Sequence, residues 1–114
     1  MKITFYEDPM GKNLVKEFLN ELDPKMRTKM LRSIMALQEL GISLKMPLSE
    51  HLGDGIFELR AQVGTNISRV MYFFMIGNQA ILTHGFIKKT QKTPSREIER
   101  AKKIRSDYMK RFGE

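Results

Sequence analysis

Apolar and polar residues alternate from Lys2 to Tyr6, with Ile3 and Phe5 set against Lys2, Thr4 and Tyr6. That is the pattern of a short strand, and Asp8-Pro9 ends it. From about Met10 the period lengthens: Leu14, Val15, Phe18, Leu19 and Leu22 recur about every 3.6 residues and predict an amphipathic helix to about Leu22. Asp23 then stands where a helix is capped, with Pro24 at the first helical position, where a missing N–H leaves nothing unsatisfied. The second helix carries Met26, Met30, Ile34 and Leu37 on one stripe with Leu31 and Leu40 beside it, and it stops at Gly41. The two helices read as an α-hairpin. A methionine-rich stripe of this kind is core rather than a binding groove, and Lys25, Arg27, Lys29 and Arg32 read first as a solvated helix face, with contact to nucleic acid as the alternative.

Between Gly41 and Gly55 no period is sustained, and the stretch reads as an ordered loop containing Pro47, His51 and a Gly-Asp-Gly turn. Alternation then resumes. Ile56 to Val63 sets Phe57, Leu59 and Ala61 against Glu58, Arg60 and Gln62, so Arg60 points away from the face that buries Leu59. Gly64-Thr65-Asn66 turns the chain back into Ile67 to Ile76, with Val70, Tyr72 and Phe74 on one face and Arg69, Met71 and Phe73 on the other. Both faces are partly apolar, as in a central strand covered on both sides. After Gly77-Asn78 a third strand, Ala80 to Ile87, ends in Lys88-Lys89. Thr93 is placed to cap a last helix that begins at Pro94, with Ile98, Ala101, Ile104, Tyr108 and Phe112 facing the sheet and Arg96, Arg100, Lys103, Arg105 and Lys110 opposite. The last few residues are expected to fray.

The resulting order is β, α, α, β, β, β, α. It predicts an α+β fold: a short N-terminal strand, an α-hairpin, a three-stranded antiparallel meander and a C-terminal helix, in one domain spanning residues 1–114.

Charge changes this picture. The chain carries a formal charge of +7, and the excess is uneven: residues 1–87 hold ten Lys or Arg against nine Asp or Glu, whereas residues 88–114 hold ten against four. A polyanion or an acidic protein is the partner such a balance favours. With no cysteine and two histidines, the sequence offers neither thiolate chemistry nor a ligand set for a protein-held zinc, so no metal and no cofactor is expected. The N-terminus turns acidic before any run resembling a signal sequence, and no stretch approaches the roughly 18 apolar residues of a membrane span. A cytoplasmic protein without a membrane partner is the expectation. Within the sheet, Arg60, Arg69, Lys88, Lys89 and Lys92 are placed to converge on one end, a site suited to phosphates.

The segments LGDGIFELR, RVMYFF and HGFIKKTQKTPSREIERAK resemble the HigB-type, phage-derived branch of the RelE/ParE superfamily of toxins from bacterial toxin–antitoxin pairs. The likeness runs over nearly the whole chain; KKTQKTP followed by the basic helix is its most specific part. It implies a RelE-like fold and an endoribonuclease that cleaves messenger RNA on the ribosome, inhibits translation and is silenced by a cognate helix-turn-helix antitoxin. Two other readings stay open: a ParE-like gyrase inhibitor and a non-catalytic RNA-binding module. Under the resemblance, Arg60 and Arg69 occupy phosphate-binding positions and Lys88, Lys89 and Lys92 stand where relatives gather basic and aromatic residues. One departure is evident. The loop reads KMPLSEH and no Tyr follows His84 before the last helix, so the proton carriers of relatives are not matched.

Metal-free cleavage of RNA needs a base for the 2′-OH, charge stabilisation at the phosphate and an acid for the leaving 5′-oxygen. Guanidinium groups suit the second task, which assigns it to Arg60 and Arg69. A lysine crowded by cations becomes usable in proton transfer, which makes Lys88, Lys89 and Lys92 candidates. His84 and His51 are the alternative acid–base groups, although alternation puts His84 on a face with Leu82 and Phe86, where a core histidine would sit. Glu58 shares a face with Arg60 and is expected to orient it. Arg96, Arg100 and Lys103 form the expected RNA-binding face of the last helix.

Overall fold

The structure is a computed structural model that describes residues 1–113. Five strands, β1 (Lys2–Phe5), β2 (Ser49–Gly53), β3 (Ile56–Val63), β4 (Asn66–Met75) and β5 (Gln79–Lys88), form one mixed sheet in the order β1-β5-β4-β3-β2. Helices α1 (Leu14–Glu21) and α2 (Pro24–Leu40) cover one face, and α3 (Ser95–Phe112) packs on the other. The fold is therefore α+β with the meander expected, but with two features that periodicity did not reveal. The stretch read as a loop contains β2, antiparallel to β3, and β1 pairs in parallel with β5 at the opposite edge. Such parallel pairing joins segments far apart in sequence, and no local pattern encodes it.

Local chemistry explains most boundaries. Asp23 caps α2 by accepting from the Lys25 and Met26 backbone N–H groups at 3.0 and 3.1 Å. Helix α1 starts later than the apolar spacing implies. Asp8 Oδ1 accepts from the N–H groups of Met10 and Lys12, which holds residues 8–12 in a turn, and Asn13 becomes the cap. Thr93 does not cap α3: its hydroxyl donates to Glu58 Oε1, and Pro94 occupies the cap position without a side-chain bond. Gly113 N–H donates to Met109 O, closing α3, while Glu114 lies outside the described residues. Arg27, read as part of a solvated face, instead binds the carbonyls of Leu19, Asn20 and Leu22 and so closes the C-terminus of α1.

Two apolar layers hold the sheet. On the hairpin side, Val15, Leu19, Met26, Met30 and Leu37 pack on Leu59, Val70, Tyr72 and Leu82. On the other side, Ala101 and Ile104 of α3 pack on Ile56, Met71, Phe73 and Ile81, with Ile98 and Tyr108 at the margins. Phe112, expected to face the sheet, is exposed and lies against Tyr108. A bulge opposite Met71 shifts the register between Val70↔Gly85 and Tyr72↔Leu82. It inverts the alternation of β5, so that Leu82 joins the hairpin-side core while His84 and Phe86 face α3. Gly85 then turns toward α1, where a Cβ would lie 2.3 Å from Phe18 Cδ2. Only glycine leaves room for that ring.

Candidate functional site

Beyond the area that α3 covers, the same sheet face carries Glu58 and Arg60 on β3 and Arg69 on β4. Arg60 and Arg69 are direct cross-strand partners. Two like charges in that register repel, and the fold answers with two carboxylates. Glu58 lies one alternation from Arg60 and accepts from Arg60 Nε at 2.6 Å, while its other oxygen stands 3.5 Å from Arg69 Nε. Glu50 sits opposite Glu58 on β2 and takes Arg60 Nη2 at 2.8 Å. The cluster is thus two guanidinium groups matched by two carboxylates: Glu58, expected beside Arg60, and Glu50, which the sequence reading did not place there.

The two arginines differ in what they can reach. Arg69 is fully buried, as is Glu58. It donates to the carbonyls of Thr90 and Gln91, and its Nε and Nη1 have no hydrogen-bond partner. Burial lowers its pKa from the usual guanidinium value, with Glu58 opposing that effect and Arg60 adding to it. Arg60 keeps 11% of its side chain accessible and also donates to Gln91 O at 3.0 Å. Both guanidinium groups therefore hold the backbone of the loop after β5, and Thr93 ties the same loop to Glu58. Arg69 is spent wholly inside, whereas Arg60 keeps a small accessible part.

The lysines expected at the site fall on that loop and the strand before it. Lys88 ends β5 opposite Ile67; Lys89 and Lys92 are exposed on either side of Gln91. No carboxylate of the described residues pairs with any of the three. Arg96, Arg100 and Lys103 are exposed along α3, as expected, but Arg105 is drawn to the β2–β3 turn, where it donates to Asp54 O.

Neither histidine is displayed beside Arg60. His84 is buried beneath α3, its Nε2 3.1 Å from Glu97 Oε1 and its Nδ1 3.1 Å from Thr83 Oγ1. Burial above all, with Arg100 assisting, pushes its pKa down to about 4 despite Glu97, so the ring is neutral at neutral pH. His51 stacks on Phe57 at 4.5 Å and accepts from Gly55 N–H through Nε2. Phe57 belongs to the hairpin-side face, so His51 lies across the sheet from the arginines.

The residue that sequence reasoning passed over is Glu50. Its side chain is 41% accessible and its carboxylate is bonded to Arg60. The signal was present: Ser49, Glu50 and His51 alternate as a strand should, with Ser49 bonded to the buried Tyr72 hydroxyl on the hairpin face and Glu50 on the other. Pro47 and the adjoining glycines hid that alternation.

Residues 17–106 match the family described as phage derived protein Gp49-like (DUF891). The chain belongs to that family. No curated protein matches it. In this Gp49-like chain the match takes in every residue of the cluster, from Glu50 to Thr93, together with the Lys88–Lys92 segment and Arg96, Arg100 and Lys103 of α3. Among the described residues no three His, Asp or Glu side chains gather so as to hold a metal ion, and no helix is long and apolar enough to cross a membrane.

Proposed function

We propose that this Gp49-like protein is the toxin of a type II toxin–antitoxin pair: a RelE-like, metal-free endoribonuclease that cuts messenger RNA on the ribosome and is held inactive by a helix-turn-helix antitoxin. The observation that carries the reading is Arg60, a partly open guanidinium held by Glu58, Glu50 and the Gln91 carbonyl, beside a loop bearing unpaired lysines. The resemblance to HigB-type phage-derived toxins and the membership in a phage-derived family support it from a second direction.

In this reading Arg60 donates to a non-bridging oxygen of the scissile phosphate, where charge grows as the 2′-oxygen attacks. Glu50, whose side chain is accessible beside Arg60, takes the 2′-OH proton. A lysine of the loop, Lys89 or Lys92, protonates the departing 5′-oxygen, and Lys88 adds positive charge at the strand end. Arg69 acts through the loop it anchors and is a positioning residue. Arg96, Arg100 and Lys103 bind the surrounding RNA backbone.

The test is induction of the protein followed by primer-extension mapping of transcripts. Cleavage within coding regions is expected, with Arg60→Ala lowering it about 10²–10³-fold and Glu50→Gln by about 10²-fold or more. Undiminished cleavage by Arg60→Ala refutes the site. The second reading, a non-hydrolytic inhibitor such as a ParE-like gyrase poison or an RNA-binding module, is favoured by the neutral, buried His84 and by the pairing of both arginines with carboxylates. Growth arrest with intact transcripts and DNA damage selects the gyrase inhibitor; RNA binding without arrest selects the module.

A further inference from the structure

Where β2 stops, β3 continues. Arg60 N–H donates to Leu48 O at 2.9 Å, and from there residues 44–48 leave the sheet while β3 runs on to Val63. The edge of β3 beyond Arg60 borders a cleft of ≈ 520 Å³, enclosed by α2 on one side and Met46, Pro47 and Leu48 on the other. That volume falls in the range of sites for small organic ligands. The floor is apolar, completed by Ala61 and Ile67; the rim carries Lys29, Arg32 and Arg60 with the amides of Gln62 and Gln91. Three cations line the cleft and no carboxylate does.

The walls are fixed. Lys29 Nζ donates to Gln62 O at 2.9 Å and Ser33 Oγ to Arg60 O at 2.8 Å, which ties α2 to the open edge of β3. Arg32 has no ion-pair partner among the described residues. Met46, 57% exposed, adds apolar surface that nothing else in the fold covers.

We infer that this cleft binds one nucleotide of a single-stranded RNA next to the phosphate held by Arg60. The base lies on Met46, Pro47 and Leu48, its polar edge meets the Gln62 and Gln91 amides, and Arg32 faces the flanking phosphate. A flat apolar surface beside cations is what an unstacked base with its phosphate requires. The inference rests on the proposed ribonuclease only for the identity of the polymer. An open strand edge is also where a peptide can add, but Lys29 and Ser33 already occupy the Gln62 and Arg60 carbonyls of that edge, and a rim of three cations without a carboxylate favours the nucleotide.

The experiment is an NMR titration of the ¹⁵N-labelled full chain with adenosine 5′-monophosphate and, separately, ribose 5-phosphate. The nucleotide is expected to shift the amides of Leu48, Gln62 and Ile67, and to bind about tenfold more tightly than the sugar phosphate, which lacks the base. Met46→Ala and Leu48→Ser, both at accessible side chains, are expected to weaken the nucleotide about fivefold and to leave ribose 5-phosphate unchanged. Equal binding of the two ligands, or shifts confined to α3, overturns the inference. So does an oligo-glutamate peptide that moves the cleft amides where the nucleotide does not. Messenger RNA cleavage by a protein whose cleft ignores the nucleotide sinks the subsite alone. A nucleotide in the cleft of a protein that cleaves nothing sinks the ribonuclease alone.

Discussion

Replacing Glu58 with glutamine keeps the shape of the side chain and removes the charge that the arginine cluster is built around. Thr93 keeps a hydrogen-bond partner, so the loss is electrostatic. Arg60 still has Glu50 at 2.8 Å, so it is not left without a carboxylate. Arg69 has no such relief: it is fully buried and its nearest carboxylate is Glu58, 3.5 Å away. Leaving one member of a buried pair uncompensated costs about 3–5 kcal/mol. For a domain of this size that is a large part of a total stability of about 5–15 kcal/mol, and at about 4 °C per kcal/mol it lowers Tm by roughly 12–20 °C. Urea denaturation followed by far-UV circular dichroism measures it directly. Glu58→Gln/Arg69→Met removes both charges and is expected to recover much of the loss. A cost below about 1 kcal/mol for Glu58→Gln, or a double variant whose cost is the sum of the singles, would refute the argument that Arg69 depends on Glu58.

His84 makes stability depend on pH. Its folded pKa of about 4 lies below the ordinary 6.5, so between those values the unfolded chain binds a proton that the folded chain refuses. Its contribution is complete above pH 6.5 and is lost as pH falls toward 4, by up to about 3 kcal/mol. Urea midpoints of wild type and His84→Asn should converge on acidification, and parallel pH profiles would contradict the assignment. Gly85→Ala places a methyl group against the Phe18 ring and is expected to cost about 1–3 kcal/mol, part of which Phe18→Leu should restore; an unchanged thermal midpoint would be inconsistent with the packing at that position. For RNA binding, each of Lys89→Gln and Lys92→Gln should lower the slope of log affinity against log salt by about 0.7 if each contacts a phosphate. An unchanged slope would remove that lysine from the interface.

Elements whose residues meet the solvent on one side and the core on the other were legible along the chain. The hairpin helices, the meander and α3 follow from apolar spacing, and Asp23-Pro24 sets the boundary between α1 and α2. Strand β2 was not legible, because Pro47 and the Gly53-Asp54-Gly55 turn punctuate a segment of five residues whose alternation is too short to stand out. With β2 unseen, Glu50 could not be placed opposite Glu58, and the second carboxylate on Arg60 went uncounted, although Glu58 was legible as its partner by alternation. The bulge in β5 misled in the opposite direction, since simple alternation assigned His84 to the face of Leu82, whereas the extra residue turns it under α3.

By itself the sequence determined that the fold is α+β and the chain basic, that Arg60 shares a strand face with Glu58, and that positive charge collects after β5. These properties depend on composition and on short-range periodicity, which every sequence displays openly. Only the tertiary structure decided that Arg69 is fully buried while Arg60 keeps a small accessible part, that Glu50 joins Glu58 on Arg60 and Glu58 also reaches Arg69, and that α2 and the open edge of β3 flank a cleft. Burial and charge pairing depend on which distant segments come to lie side by side. A guanidinium reads the same in a sequence whether it meets a phosphate or the carbonyls of its own chain.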